Sequence, residues 1–451
     1  MNQSHENRFY HFKSFIFILI GSGFLRFILF YQDFNQLFSQ RNEITTPLTS
    51  FKRLQEGLHL RDNGLSPYTG SVCHQPPLLL FLFDMVAYID QWCNFGLILP
   101  QMVFLIVDLL IAILLRQITI LVPTVLPMEM KPLTTSSNLP NITAALYLFN
   151  PFTLFTCIGM STIVFNNLSI ILSLYFSLKG SILKSVFFVA LSSYLSTYPI
   201  ISIIPIALIL KEKLYPTTNK AVVGKSQSHF GLYLSVFGVF ILSLGYILYF
   251  SYQLFNSWDF IEKVYGFTFF VEDLTPNIGL FWYYFIEVFD HFRNFFLFIF
   301  QYHIFIYTIP LGFRLKGHPL FYLWVLCAII ATFKSYPALG DTALHISLLP
   351  LLYEPLKGVR YSFIVVVVGI YVTVLAPILW QMWIYQGTGN ANFYYTINLV
   401  FTLSQVLLIV DSLSVLLKLD YLCKINKNQG NSSSITTNNN NNVQVENDKN
   451  K

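Results

Sequence analysis

The chain has 451 residues, of which 55% are hydrophobic, 17% aromatic and only 11% charged. Soluble globular domains carry about 25% charged residues, so this composition excludes that class. Apolar runs of about 18 residues or more recur, and no alternating strands of about ten residues support a transmembrane β-barrel. The sequence therefore predicts an all-α, polytopic transmembrane helical bundle. The formal net charge of +5 lies in short clusters between apolar runs, where it sets membrane orientation and does not indicate nucleic-acid binding.

About twelve apolar segments are predicted to span the membrane. They cover residues 12–31, 95–115, 142–158, 163–178, 183–198, 200–211, 230–252, 293–313, 319–334, 340–354, 361–384 and 393–417. A further apolar stretch, residues 76–89, is short and begins with two prolines. We interpret it as an interfacial or re-entrant helix, because a thirteenth span would reverse the charge pattern of every later connection.

Basic residues divide the connections between these spans into two classes. The first class contains Arg8, Lys13, Arg116, Lys131, Lys179, Lys184, Lys211, Lys213, Lys220, Lys225, Arg314, Lys316, Lys357, Arg360, Lys418 and Lys424. The positive-inside rule predicts that this class is cytosolic, together with both termini. The non-cytosolic connections are then residues 32–94, 159–162, 253–292, 335–339 and 385–392.

The chain divides into a membrane domain and a polar tail. Residues 1–423 form the predicted polytopic membrane domain, whereas residues 424–451 are rich in asparagine. Such a tail cannot bury a core, so we predict that it is disordered and cytosolic.

The first non-cytosolic connection contains a predicted amphipathic helix. Phe51, Leu54 and Leu58 recur at helical spacing, and charged residues occupy the other faces. This pattern suits a helix lying on the membrane surface. The alternative is an ordinary surface helix. Asn63-Gly64 predicts a turn at its end.

Three other polar stretches lie among apolar residues and contain candidate binding groups. His291 follows a run of aromatic and acidic residues, and ionisable groups near hydrocarbon are costly. Lys334 and Asp341 flank a predicted turn, either as a structural ion pair and interfacial anchors or as ligand-binding groups. Asn390 and Asn392 offer amide donors and acceptors; the alternative is a turn with an asparagine helix cap.

No catalytic or metal-binding constellation is recognisable. The five cysteines are scattered without CxxC or metal-like spacing with histidine, so they are predicted to pack as small hydrophobic residues. Neither a phosphate-binding loop nor a nucleophile motif occurs. Matched inverted repeats with broken helices, which would support a transporter or channel, are not recognisable either.

Several stretches together resemble one family, the class U subunit of the glycosylphosphatidylinositol (GPI) transamidase. The resemblance covers roughly residues 40–420. It is carried, in order, by LSPYTGSVCHQPPLL, PMEMKPL, LFNPFTL, SWDFIEKVYGF, DLTPNIGLFWYYFIEVFDHF, IYTIPLGFRLKGHP, FKSYPALGDTAL and WIYQGTGNANFYY.

The resemblance implies a non-catalytic, multi-pass subunit of the endoplasmic-reticulum complex that attaches GPI anchors to proteins. It implies a separate caspase-like catalytic subunit, a luminal β-rich subunit and further membrane subunits as partners. The precursor's C-terminal signal and the GPI glycolipid are the implied substrates, and no cofactor is expected. The family is also similar to the GT-C class of lipid-linked mannosyltransferases, which implies a GT-C-like bundle.

The resemblance also focuses the candidate ligand contacts. Amides suit sugar hydroxyls and a lysine suits phosphates, so GPI contact is expected first at Asn390 and Asn392. Lys334, Asp341 and His291 are the next candidates. The expected boundary between lipid and glycan is formed by Phe281, Trp282 and Tyr283.

An active GT-C mannosyltransferase is the alternative function. Those enzymes carry an acidic residue, often in a DxD-like pair, in the first luminal loop. Here the loop has only Asp33 and Glu43, and they are isolated. Replacing both with alanine abolishes activity if this alternative holds.

Overall fold

The fold is described from a computed structural model, which describes residues 2–93, 95–96, 98–125, 138–216, 229–352 and 356–447, with side chains between residues 12 and 426. Lys131, Lys220, Lys225 and the motif PMEMKPL lie outside the described residues. Among the described residues, the regular secondary structure is helical, apart from one isolated bridge between Ser50 and Ser161. The predicted all-α class is thereby confirmed.

Nineteen α-helices are assigned within these residues. In chain order they are α1 Asn2–Tyr31, α2 Phe34–Phe38, α3 Phe51–Asp62, α4 Pro77–Cys93, α5 Ile98–Leu121, α6 Leu139–Leu148, α7 Pro151–Ile158, α8 Ile163–Leu178, α9 Ile182–Leu195, α10 Ile203–Leu214, α11 Phe230–Phe255, α12 Phe267–Phe270, α13 Phe281–Glu287, α14 Asp290–Ile306, α15 Thr308–Arg314, α16 Pro319–Phe333, α17 Leu339–Leu348, α18 Ser362–Trp380 and α19 Ala391–Asn447. Short 3-10 turns cover Val122–Thr124, Tyr198–Ser202 and Leu349–Leu352. Two π-helical turns cover Ile261–Gly266 and Gln381–Tyr385.

Six of the described helices are long and apolar enough to cross a membrane. They are Phe12–Tyr31, Ile98–Leu121, Phe230–Phe255, Asp290–Arg314, Ser362–Tyr385 and Ala391–Asn426. The pair α6–α7 adds a seventh if it is counted as one span, although it is bent by 50°. The other predicted spans coincide with shorter helices, so a polytopic helical membrane protein is supported while the count of twelve stays a prediction.

The core of the described region is a layer of shorter helices surrounding α16. Every residue of α16 from Pro319 to Thr332 is buried, because α10, α14, α17 and α19 pack around it. The long helices α1, α11 and α18 lie outside and expose most of their apolar surface, as expected of helices that face lipid or other membrane subunits.

The predicted amphipathic helix is present as α3, but its apolar face does not lie on a membrane surface. Phe51 and Leu54 are buried in the protein, and the Phe51 ring contacts the rings of Phe83 and Phe104 at 5.0 and 5.7 Å. The face prefers this packing because α4 and α5 supply aromatic rings directly beneath it. The predicted turn follows, with Gly64 at φ +76°.

Candidate functional site

An apolar groove lies between the α18–α19 hairpin and the bent pair α6–α7. It consists of two adjoining cavities of about 340 and 510 Å³ that share Phe152, Thr373 and Phe401. Most of the remaining wall is apolar and includes Phe38, Ile278, Leu339, Val366, Ile370 and Val372. Its polar residues are Arg41, Glu43 and Asn398 in the first cavity and Asn150, Ser362 and Gln405 in the second. Cavities of roughly 300–1,000 Å³ with apolar walls are typical of small-molecule sites.

Proline and asparagine shape one wall of the groove at the bend between α6 and α7. Pro151 begins α7, and the Asn150 side chain accepts a hydrogen bond from the Phe152 backbone N–H at 2.9 Å. This is an N-cap, which satisfies a donor that the new helix leaves free. The bend turns Phe152 into the groove, where both cavities meet.

The opposite wall is shaped by Pro377 near the end of α18. A proline inside a helix removes one backbone hydrogen bond, and a π-helical turn, Gln381–Tyr385, follows four residues later. Pro377 lines the first cavity together with Thr373 and Ala376. The irregular end of α18 therefore lies beside the cavity that Arg41 and Glu43 line.

Arg41 and Glu43 form the polar end of the groove. Glu43 Oε1 accepts a hydrogen bond from the Tyr394 hydroxyl at 2.6 Å, and the Glu43 backbone carbonyl accepts one from the Leu339 N–H at 2.8 Å. Arg41 Nη1 is buried and has no hydrogen-bond partner. Both side chains line the first cavity together with Asn398, so a mainly apolar groove ends beside a cation, an acid and an amide.

The two predicted ligand-binding asparagines lie at the start of α19. Asn390 is exposed, and its Oδ1 accepts a hydrogen bond from the Phe393 N–H at 3.2 Å, so it caps this helix. Asn392 Oδ1 accepts a hydrogen bond from the Tyr283 hydroxyl. Gly387, at φ +64°, supplies the preceding turn. Neither amide lines the groove, although both lie at the turn that joins α18 to α19, the two helices of one wall.

Lys334 and Asp341 form a buried ion pair. Their side chains are each 6% exposed, and Lys334 Nζ lies 2.7 Å from the Asp341 carboxylate. The carboxylate also accepts a hydrogen bond from the Ala338 N–H at 2.9 Å. The pair closes the turn before α17. The ion-pair interpretation therefore describes this geometry, and ligand contact at these residues stays a prediction.

The predicted aromatic boundary packs inside the protein. Phe281 and Trp282 are 2% and 1% exposed, whereas Tyr283 is half-buried. The Trp282 ring lies 6.1 Å from the rings of Trp383 and Tyr394, which joins α13 to the end of α18 and the start of α19. These aromatic side chains therefore pack against the residues that flank the asparagine loop, the turn that carries Asn390 and Asn392.

His291 lies apart from this cluster, at the start of α14. It is exposed, and its ring packs 4.0 Å from the ring of Phe292. The structure brings together Asn392, Tyr283 and Trp282, but it brings His291 close to none of the other candidates. Contact of His291 with a glycolipid stays a prediction.

The Cys73 thiol is enclosed by the protein. Cys73 is buried, and burial raises the pKa of its thiol to about 11, so it is protonated at neutral pH. Among the described residues, no three His, Cys, Asp or Glu side chains group closely enough to hold a metal ion.

Sequence reasoning missed the groove and Arg41. Phe152, Thr373 and Phe401 sit within apolar runs, where a cavity-lining residue has the same character as a packed one. Two signals were available in retrospect: Pro377 inside a predicted span, and Arg41 within a connection assigned to the non-cytosolic side against the positive-inside tendency.

The fold and the groove together define a polytopic helical membrane protein with a lipid-sized cavity that ends in polar groups. Comparison with known families identifies one family within this class. A model of the family described as GPI transamidase subunit PIG-U matches residues 20–401, and the chain belongs to that family. The resemblance predicted from the sequence motifs is thus confirmed.

Two relatives match the sequence of this chain over nearly their whole length, and a third matches it in part. The chain is 37% identical over 429 residues to GPI-anchor transamidase component PIGU of Homo sapiens, covering 90% of this chain and 94% of that protein. It is 36% identical over 397 residues to GPI transamidase component GAB1 of Saccharomyces cerevisiae, covering 87% and 91%. A partial match, 28% over 162 residues, joins 36% of the chain to 37% of GPI mannosyltransferase 1 of Debaryomyces hansenii.

Proposed function

We propose that this chain, a GPI transamidase subunit by its family, binds the GPI lipid and presents it without catalysing the transfer itself. The observation that carries the proposal is the apolar groove with a polar end, because a glycolipid has this division between hydrocarbon and headgroup. Holding one substrate beside the catalytic subunit raises its effective concentration there, which is itself a catalytic contribution.

The rim of the groove supplies the glycan contacts in this proposal. Asn390 is exposed and hydrogen-bonds to sugars directly, and the Asn392 amide, which accepts from the Tyr283 hydroxyl, lies beside it. His291 is exposed apart from them and contacts a more distant part of the glycan. Lys334 and Asp341 fix the neighbouring turn. The rings of Phe281, Trp282 and Tyr283 form the support beneath the asparagine loop.

The proposed setting is the endoplasmic-reticulum membrane, with both termini cytosolic and Arg41 and Asn390 on the luminal side. The proposed partners are a caspase-like catalytic subunit, a luminal β-rich subunit, further membrane subunits and the precursor's C-terminal signal. About twelve spans and a GT-C-like ancestry complete the proposal, and the partial similarity to GPI mannosyltransferase 1 supports the ancestry.

The substitution Asn390→Lys tests the presentation role. We expect it to lower GPI attachment of a reporter in cells several-fold while the transamidase complex still assembles, because a long cation replaces a neutral amide at the rim. The measurements are surface reporter level, precursor accumulation and co-purification of subunits. Gln253→Lys is the matched control, since Gln253 is exposed at the same predicted side but lies on α11.

Two results would contradict the proposal. If Asn390→Lys dissolves the complex, Asn390 is structural and its assignment to the glycan is wrong. If loss of the chain causes cells to accumulate an incomplete glycan rather than complete, unattached GPI, the mannosyltransferase alternative is favoured and the presentation role is overturned.

A further inference from the structure

We infer that the groove contains an anion subsite in which Arg41 pairs with the phosphodiester of a diacyl glycerophospholipid whose chains occupy the two cavities. This inference deepens the proposed function and rests on it for the biological identity of the lipid. The chemistry shared by a GPI and by ordinary phosphatidylinositol, a phosphodiester beside two acyl chains, is what the subsite recognises.

The Arg41 guanidinium has a buried hydrogen-bond donor without an acceptor. Guanidinium carries five N–H donors, and a buried donor without an acceptor costs free energy. Arg41 Nη1 is buried without a hydrogen-bond partner, and among the described residues no carboxylate lies within 4.0 Å of the group. An anionic ligand entering the first cavity would satisfy it.

The neighbouring acidic side chain, Glu43, does not pair with Arg41. Glu43 lines the same cavity, but its Oε1 already accepts a hydrogen bond from Tyr394, and its backbone carbonyl is used by Leu339. Glu43 is therefore held in place by α19 and does not neutralise Arg41 in an ion pair. The charge at the end of the groove remains available to a ligand.

The length of the groove also fits a lipid. α18 lines the groove from Ser362 to Pro377, which is about 22 Å along the helix axis at 1.5 Å per residue. One leaflet of a bilayer has about 15 Å of hydrocarbon, half of roughly 30 Å. The groove thus accommodates acyl chains over more than the depth of a leaflet, with the phosphate expected at the Arg41 end.

A lipid fits this groove better than a transmembrane helix of another subunit. A helix with its side chains is about 10–12 Å wide and has its backbone groups already paired, so it needs neither two small cavities nor a cation. Arginine, in contrast, binds phosphate oxygens in bidentate geometry. The charge at one end and the hydrocarbon along the rest match a phospholipid.

The test uses the purified, intact transamidase complex and two photoactivatable probes. One probe is phosphatidylinositol with a diazirine on an acyl chain, and the other is diacylglycerol with the same chain, which lacks the phosphate. We expect phosphatidylinositol to label peptides of α18 or α19. Arg41→Gln should reduce that labelling about tenfold and leave diacylglycerol labelling unchanged, since it removes a charge-assisted hydrogen bond.

Matched variants keep the test informative. Arg41→Lys should retain much of the phosphatidylinositol labelling because it keeps the charge. Arg293→Gln should have no effect, because the Arg293 guanidinium already donates to the carbonyl oxygens of Phe270 and Val271. Intact elution of each complex on size exclusion excludes misfolding as the cause.

The remaining outcomes separate the subsite from the proposed function. Equal labelling of wild type and Arg41→Gln, labelling away from α18 and α19, or crosslinks that place a partner's helix in the groove would overturn the subsite. If labelling depends on Arg41 but GPI attachment in cells survives Arg41→Gln, the subsite stands. Its use in presenting GPI is then overturned. Competition by unlabelled GPI against unlabelled phosphatidylinositol identifies which lipid the subsite prefers.

Discussion

A buried ion pair links two spans of the protein at the scale of single residues. Arg26 on α1 and Asp108 on α5 are both fully buried, with Arg26 Nη2 and Asp108 Oδ2 2.5 Å apart. The Tyr147 hydroxyl on α6 donates to Asp108 Oδ1 at 2.6 Å. Charged groups in a membrane interior are expensive unless they pair, so this network fixes which faces of the three helices meet.

We predict that Asp108→Leu destabilises the protein strongly, by about 3–5 kcal/mol, because it leaves the Arg26 charge buried without a partner. The double variant Arg26→Met with Asp108→Leu should recover most of the loss, since it removes both charges. Thermal melting of the detergent-solubilised complex measures both. A single variant as stable as the wild type would show that the pair does not hold α1 in place.

At the scale of elements, the hairpin of α18 and α19 forms one wall of the groove, and a carboxylate ties the two helices together at the open end of the hairpin, away from its turn. Asp411 on α19 accepts hydrogen bonds from the backbone N–H groups of Arg360 and Tyr361, at 2.7 and 2.9 Å, where α18 begins. These donors have no partner within their own helix, so a neighbouring helix caps α18.

We predict that Asp411→Ala lowers the stability of the hairpin by about 1.5–3 kcal/mol, the range for a hydrogen bond to a charged group. Limited proteolysis between α17 and α18 should accelerate in the variant. Asp420→Ala on the same helix is the control, because its partly exposed contact with His318 is worth about 1 kcal/mol or less. Equal proteolysis of both variants would refute the capping role.

The elements also show what the sequence can predict. Hydropathy located the helices because the membrane requires every span to be apolar, and α18 begins within one residue of the predicted span 361–384. It could not predict the bend at Asn150, the π-helical turn after Pro377 or the groove between them. The side chains along the groove differ from packed ones only in their neighbours, which hydropathy does not encode.

The candidate site was predictable only in part, for the same reason. The asparagine loop was visible because polar groups stand out in an apolar chain. Whether Lys334 and Asp341 meet each other or a ligand depends on a turn geometry that spacing leaves open, and they meet at 2.7 Å. In this loop the sequence indicates Glu43 as a candidate, and it does not indicate Arg41, the group that most favours a ligand.

At the scale of the whole molecule, the exposed cysteines test the proposed orientation. Cys93 lies in the predicted luminal connection, and Cys423 lies in α19 beyond the predicted span 393–417, on the predicted cytosolic side. In sealed microsomes, we predict that a membrane-impermeant maleimide labels Cys423, and labels Cys93 only after the membrane is opened. Mass spectrometry of the modified peptides measures both sites.

Cys73 is the internal control in that experiment. Burial raises the pKa of its thiol to about 11, so at pH 8 it remains protonated and enclosed, and it should react only after denaturation. Labelling of Cys93 before Cys423 in sealed microsomes would invert the orientation and move the polar end of the groove to the cytosol.

The exposure of α18 has a consequence for product release. Only 6% of this span is buried, although it forms a wall of the groove. In the proposed presentation role, the glycolipid leaves the groove with a protein on its headgroup, so its fatty chains need a lateral path into the bilayer. Because few residues of α18 are buried within this chain, we predict that this helix forms that path.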